Sequence, residues 1–207
     1  AATVVGTQAR TITYPDARRV DTVDVYFGTQ VPDPYRWLED DNSQETAEWV
    51  KAENRLTQDY LSKIPFRKKV KKRITELANY EKVGTPFKVK DKFYFFKNNG
   101  LQNQSVLYEY SADGNHKMVL DPNTLSDDGT VALQQIDFSN DGRYLAYVIT
   151  RNGSDWNEIY VKDLKEDRVL DDHIVWAKFT DAQWLGDGFF YSGYDAPEDA
   201  KSSMNEF

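Results

Sequence analysis

The sequence predicts an extended and helical N-terminal segment followed by blades of a β-propeller, with mainly β structure after residue 85. Three observations support this fold class. Strand-like stretches recur in the same order at intervals of about 50 residues, which is the length of a propeller repeat. Turn signals of the Asp-Gly type separate these stretches. Helical periodicity, in contrast, is confined to residues 43–77.

The most complete copy of the repeat lies between residues 133 and 170. Its predicted strands are residues 133–138, 144–150, 158–163 and 168–170. An earlier copy contains residues 92–97, 106–110 and 118–121, and a third copy begins at Ala182 and continues through the turn Asp187-Gly188 to Ser192. Four short strands in succession form one propeller blade. An ordinary antiparallel sandwich with coincidental spacing is the alternative interpretation.

The first 40 residues contain many large apolar side chains but no helical pattern. Pro15, Pro32 and Pro34 disfavour helix through most of this stretch, and residues 1–13 are predicted to be an extended tail. Its large apolar residues are Tyr14, Val23, Val25, Tyr26, Phe27, Tyr35, Trp37 and Leu38. Without another surface to dock on, these side chains would form an exposed apolar patch.

Two amphipathic helices are predicted next. Asn42 or Ser43 caps the first helix, and Pro65 stands in the first turn of the second. Their apolar faces are Trp49, Ala52, Leu56 and Tyr60 in the first helix, and Phe66, Val70, Ile74 and Leu77 in the second. The opposite face of the second helix is basic, and we interpret it as solvated rather than as a polyanion site, because the chain carries a net charge of −8.

A change of composition at residues 80–86 predicts a domain boundary, giving domains 1–80 and 81–207. The absence of Cys removes disulfides, thiolate metal sites and a cysteine nucleophile. The acidic balance disfavours a nucleic-acid partner, and no apolar run reaches the ~18 residues of a membrane span. The compartment stays open between cytoplasm and periplasm or secretion, and the missing initial Met favours an exported mature form.

No catalytic constellation is recognisable in this chain. A Gly-x-Ser-x-Gly nucleophile elbow is absent, since Ser154 follows Gly153 without a second glycine after it. The two histidines, His116 and His173, have no partner at a ligand spacing and are interpreted as ordinary surface residues. We therefore predict no catalytic residue, no metal ligand and no cofactor within these residues. Two and a half repeats also cannot close a propeller, which needs four to eight blades.

Several ordered motifs carry a family resemblance. They are Tyr14-Pro15, Tyr26-Phe27-Gly28, Pro32-Asp33-Pro34-Tyr35-Arg36-Trp37-Leu38-Glu39-Asp40, Trp49-Val50 and Gly153-Ser154-Asp155-Trp156. Together the chain resembles the N-terminal portion of the prolyl oligopeptidase (prolyl endopeptidase) family of serine peptidases. The resemblance implies an α/β-hydrolase domain capped by a seven-bladed propeller, with residues 1–80 docked on the hydrolase. The Ser-Asp-His triad would lie in the C-terminal part, outside this chain.

The resemblance also implies a function and two site residues. The intact enzyme would cleave short proline-containing peptides after proline, while the propeller restricts access to the triad. Phe179 matches a substrate-pocket phenylalanine, and the alternative is a core residue of blade three. Asp155 matches an aspartate that pairs with a substrate-holding arginine of the other domain, and the alternative is a loop cap. The polar tail 194–207 is expected to be a cleavable loop.

Two further interpretations of function stay open at this point. The first is a non-catalytic propeller that serves as an interaction module. The second is an enzyme of the related oligopeptidase B branch, which cleaves after Lys or Arg, because Tyr35-Arg36-Trp37-Leu38-Glu39-Asp40 is also similar to that branch. In the enzyme interpretations the partner of this chain is the remaining C-terminal polypeptide.

Overall fold

A computed structural model describes residues 12–196 of the chain. Its helices are α1 (Gln44–Ser62) and α2 (Arg67–Ala78). Its strands are β1 (Val23–Tyr26), β2 (Thr29–Pro32), β3 (Lys82–Val83), β4 (Phe87–Val89), β5 (Lys92–Asn98), β6 (Val106–Glu109), β7 (Lys117–Leu120), β8 (Val131–Phe138), β9 (Tyr144–Arg151), β10 (Trp156–Asp163), β11 (Arg168–Lys178), β12 (Gln183–Leu185) and β13 (Gly188–Phe190). Within this range no helix is long and apolar enough to cross a membrane.

The chain divides into two compact units, Ala1–Ile74 and Thr75–Phe207. The predicted boundary between residues 80 and 81 thus falls inside the second unit, a few residues after the end of α2. The docking role predicted for residues 1–80 stays a prediction. The predictions for residues 1–11 and for the tail from Pro197 onward lie outside the described residues.

In the first unit, the proline-rich stretch forms an antiparallel hairpin of β1 and β2. Phe27 and Gly28 make its turn, both with positive φ, 51° and 85°, as a tight turn between twisted strands requires. A short 3₁₀ helix, Arg36–Glu39, follows the hairpin. Ser43 caps α1, because its hydroxyl oxygen accepts a hydrogen bond from the Thr46 amide at 3.1 Å.

Polar contacts connect the extended stretch to the beginning of α1. Arg18 donates two hydrogen bonds to the Glu45 carboxylate, at 2.7 and 2.8 Å. The Trp37 indole N–H donates to the Arg18 carbonyl at 2.7 Å, and the Thr46 hydroxyl donates to the Trp37 carbonyl at 3.1 Å. The Trp37 and Trp49 rings meet edge to face, with centroids 6.4 Å apart. Directed polar contacts thus shape this unit.

In the second unit, the repeat forms two complete antiparallel blades. Blade one is the meander β4-β5-β6-β7, with β3 also paired to β5. Blade two is the meander β8-β9-β10-β11, and β12 with β13 forms the first hairpin of a third copy. The predicted propeller fold is therefore confirmed, with two corrections. The residues before β5 contribute β3 and β4, and β11 continues to Lys178 instead of stopping at residue 170.

Blade two packs on both of its faces. Leu145, Tyr147 and Ile149 of β9 share one apolar cluster with Tyr94, Leu107 and Leu120 of blade one. Ala146 and Val148, which alternate with them along the strand, share a second cluster with Ile159, Ala177 and Ala182, against which Trp184 and Phe189 also pack. Consecutive blades stacked through their faces are the arrangement of a propeller.

Polar side chains fix neighbouring blades against each other. The Gln104 amide donates to the Val131 carbonyl at 2.7 Å and accepts from the Leu133 amide at 2.7 Å, so it pairs with β8 as a further strand would. The Trp184 indole N–H donates to the Asp137 carbonyl at 3.1 Å. These bonds hold the edge of β8 in place, next to the cleft described below.

Candidate functional site

The candidate site lies where the ladder between β10 and β11 ends. Trp156, the first residue of β10, is opposite Lys178, the last residue of β11. The preceding turn contains Asn152 and Gly153, both with positive φ, 53° and 74°. The Ser154 amide donates to the Arg151 carbonyl at 2.9 Å, and the Ser154 hydroxyl accepts from the Trp156 amide at 3.1 Å. This compact turn places Asp155 beside the end of β11.

A cleft of about 550 Å³ opens at this position. Its lining residues come from β8, from the turn before β10 and from the segment after β11, and they are Gln134, Gln135, Thr150, Gly153, Ser154, Asp155, Asn157, Phe179, Thr180 and Asp181. The two residues singled out from the sequence, Asp155 and Phe179, therefore lie in one cleft. Gln134 reaches the cleft because the pairing of β8 with β9 is irregular between Leu133 and Gln135.

Phe179 presents its ring to the cleft. Its exposed fraction is 76% in this chain, which contains only the first hairpin of blade three. Its φ is 51°, a value that a non-glycine residue adopts only at a cost. An exposed aromatic ring on strained backbone at the rim of a cleft is typical of a residue that contacts a ligand.

Asp155 has a cationic neighbour within this chain. The Lys178 ammonium lies 3.6 Å from the Asp155 carboxylate, whose side chain is about half exposed. The same ammonium lies 5.1 Å from the centroid of the Trp156 ring and 5.2 Å from that of the Phe179 ring. Lys178 was not among the residues predicted from the sequence, because a single lysine at a strand end carries no signal of this environment.

The two histidines, interpreted from the sequence as ordinary surface residues, have specific partners. His173 Nε2 lies 2.9 Å from Glu158 Oε2, and the His173 ring stacks on Tyr160. Burial raises the pKa of Glu158, but hydrogen bonds from Arg151, Tyr160 and His173 outweigh burial and lower the pKa overall. The His116 Nδ1 accepts from the Ser111 amide at 3.1 Å.

Neither histidine lines the cleft. The cleft lining contains one serine, Ser154, without the histidine base that activates a serine nucleophile. No group of three or more potential metal ligands comes together within residues 12–196. The arrangement of aromatic ring, carboxylate and amides can bind a peptide, and it offers no machinery of its own for acyl transfer.

Comparison with known proteins identifies the family of the chain. The family described as "Prolyl oligopeptidase, N-terminal beta-propeller domain" matches residues 15–206. The prolyl endopeptidase of Elizabethkingia miricola is 47% identical over 199 residues, which are 96% of this chain and 28% of that protein. The chain therefore spans just over a quarter of the length of this relative.

Two solved structures extend the comparison. Prolyl oligopeptidase B from Galerina marginata, solved with a 35mer hydrolysis and macrocyclization substrate, is 34% identical with a TM-score of 0.75, over 89% of this chain and 30% of that one. Oligopeptidase B from Leishmania major has a TM-score of 0.72 over 90% of this chain and 30% of that one, but only 13% identity, so it shares the fold alone. With the family match, the 47% identity and the two stacked blades, the chain belongs to the prolyl oligopeptidase family, as its N-terminal β-propeller portion.

Proposed function

We propose that this chain is the N-terminal part of a serine endopeptidase that hydrolyses short peptides on the carboxyl side of proline. The observation that carries the proposal is the 47% identity to a prolyl endopeptidase over 96% of this chain. The reaction is acyl transfer through a Ser-Asp-His triad that lies outside these residues. The propeller gates access to that triad, so that short peptides reach it and folded proteins do not.

The remaining polypeptide of the enzyme is the partner that we propose for the first unit. Of its described residues, Tyr14, Val25, Tyr26 and Phe27 are all more than half exposed. The indole N–H of Trp49 is shielded from solvent and has no acceptor among the described residues. A docked hydrolase domain would cover the apolar side chains and could supply the missing acceptor.

In the cleft, we assign a separate role to each of two side chains. Phe179 forms an aromatic wall for an apolar side chain of the substrate, upstream of the proline. Asp155 holds an arginine of the hydrolase domain by charge-assisted hydrogen bonds, and that guanidinium in turn binds the peptide backbone. Their position in one cleft supports this division of roles, because both can then act on the same bound peptide.

An assay of the separated parts tests the proposed function. The purified 207-residue chain and the longer polypeptide that contains it are each incubated with a reporter peptide cleaved after proline and with a matched reporter that carries arginine instead. We expect turnover only from the longer polypeptide and only after proline. Turnover by the 207-residue chain alone would refute the placement of the triad, and preference for the arginine reporter would refute the substrate class.

A further inference from the structure

Lys178 is in an unusual environment for a lysine. Only 11% of its side chain is exposed, although lysines are almost never buried unless they are paired. The ammonium lies 3.6 Å from the Asp155 carboxylate and within ~6 Å of the centres of two aromatic rings, the range of a cation–π contact. One of these rings, Trp156, is 8% exposed, and the other is the exposed ring of Phe179.

Backbone contacts hold Lys178 between two neighbouring segments, strand β10 and the residues around Ser192. Lys178 pairs with Trp156 in the ladder, and its amide donates to the Ser192 carbonyl at 3.5 Å. The preceding residue, Ala177, is completely buried. Trp176 and Phe179, which flank this pair, both have positive φ, 58° and 51°. Such strain persists only where the surrounding structure holds it, and it concentrates at functional sites.

From these contacts we infer that Lys178 is a positioning residue of the peptide-binding cleft: its ammonium holds the Phe179 ring and the Asp155 carboxylate in their binding orientation. Packing restrains the Phe179 ring little, because three quarters of its surface is exposed. A cation beneath the ring face supplies an attraction that packing does not. The inference rests on the proposed function, since it takes the cleft to be the substrate site.

The small exposure of Lys178 separates this role from direct substrate binding. A substrate would contact the exposed Phe179 ring and Asp155 carboxylate, and Lys178 would act through them. Loss of the ammonium should therefore weaken peptide binding without changing the chemical step. In kinetic terms KM rises and kcat stays constant.

The test uses the longer polypeptide and a reporter peptide with a large apolar residue upstream of proline. Lys178→Met keeps the apolar stem and removes the charge, and we expect KM to rise roughly 3- to 10-fold, with kcat unchanged. Lys178→Arg keeps the positive charge, so its KM should be close to that of the wild type. Phe179→Ala removes the aromatic ring and shows how much KM rises when the ring itself is lost. Lys88→Met is the matched control, because Lys88 also lies over an aromatic ring, Phe93, at 5.7 Å but outside the cleft.

Three results would overturn the inference: a fall in kcat with unchanged KM, an equal effect of Lys88→Met, or no rescue by Lys178→Arg. If Lys178→Met does not fold, Lys178→Gln replaces it in the same assay.

Crystal structures of the wild-type and variant proteins give a readout that does not depend on activity. The inference predicts that the Phe179 ring or the Asp155 carboxylate moves, and unchanged positions of both contradict it. Failure of the wild-type enzyme to cleave after proline refutes the proposed function instead, and the crystal structures still decide the role of Lys178.

Discussion

The two units of the chain use their apolar residues in opposite ways. In the blade unit, Leu107 and Leu145 are completely buried between adjacent sheets. In the first unit, Tyr14 is 68% exposed, and every apolar side chain that is buried in the described part of the chain lies in the blade unit. Apolar composition alone therefore does not indicate a core, because both units contain large apolar residues and, within residues 12–196, only the blade unit buries them. Tyr14, Tyr26 and Phe27 of the first unit are exposed, and polar contacts shape the stretch that carries them.

Two ion pairs, one from each unit, differ in the same way as the apolar residues: the pair of the blade unit is more buried. The Arg18–Glu45 pair of the first unit has good geometry, but about half of each side chain is exposed, so solvent screens the interaction. In the blade unit, the Arg143–Asp163 pair joins a partly exposed guanidinium to a carboxylate that is almost completely buried. We therefore expect the blade unit to determine the stability of the chain.

The most direct test of this difference between the units is the same substitution, Ile to Ala, in each of them. Ile149 in β9 is 2% exposed, and Ile74 in α2 is 60% exposed. Ile149→Ala should lower the free energy of unfolding by about 2–5 kcal/mol, because it leaves a cavity between the blades. Ile74→Ala should change it by less than ~0.5 kcal/mol. Urea unfolding of the 207-residue chain measures both effects.

Equal effects of the two variants would show that the first unit has a core that the exposed surface does not reveal. The longer polypeptide gives a second comparison. If the hydrolase domain docks on the first unit as proposed and also covers Ile74, Ile74→Ala should become destabilising there, whereas Ile149→Ala should lower the stability equally in both contexts.

Acid should act mainly through the blade unit. Hydrogen bonds from Arg143 lower the pKa of Asp163 to about 2, further helped by the Glu166 and Lys165 amides. Because the folded pKa lies below the unfolded value near 3.8, this contribution to stability is complete above about pH 4 and disappears as the pH falls toward 2. Asp163→Asn should therefore reduce the loss of urea resistance between pH 5 and pH 2.5.

Glu45→Gln is the matched variant in the first unit. A side-chain hydrogen bond from Arg18 also lowers the pKa of Glu45, but this pair is exposed. We expect Glu45→Gln to change the acid dependence less than Asp163→Asn does. The reverse order would contradict the view that buried contacts dominate.

The smallest expected effect is local to the first unit. Ser43→Ala removes the hydroxyl that caps α1 and should destabilise the first turn by ~1 kcal/mol. Hydrogen exchange at the Thr46 amide measures this opening directly, since that amide donates to the lost group. Ser62→Ala, at the other end of α1, should leave the exchange of the first turn unchanged. Unchanged exchange in Ser43→Ala would mean that the cap does not hold the turn.

Most of the blade unit could be predicted because its signals are local. Asp141-Gly142 marks the turn between β8 and β9, and Gly142 has φ 75°, as the turn requires. The stretch of β1 and β2 was predicted to be extended and strand-like, but its hairpin turn was not, because Phe27 occupies a positive-φ position where Asn or Asp is the usual signal. Strands β3 and β4 were missed because Gly84 and Pro86, next to them, indicated a boundary.

The candidate site was predictable only in part. The family resemblance pointed to Asp155 and Phe179, and the structure places them in one cleft. The position of Lys178 beside Asp155 depends on the exact pairing of β10 with β11. That pairing contains two irregularities between Asn157 and Lys162. The periodicity of the sequence does not reveal such shifts, although the first of them, one extra residue of β11, moves the residues beyond it to the other face of the sheet.

The two-sided packing of strand β9 restricts which substitutions this strand can accept during evolution. Its residues alternate between the two apolar clusters, so Tyr147 must fit blade one while Val148 must fit the opposite side. A replacement anywhere along this strand has to satisfy two different neighbours through a single shared backbone. The exposed residues of β11, such as Asp171 and Asp172 at the outer edge of the same blade, have far more freedom to vary.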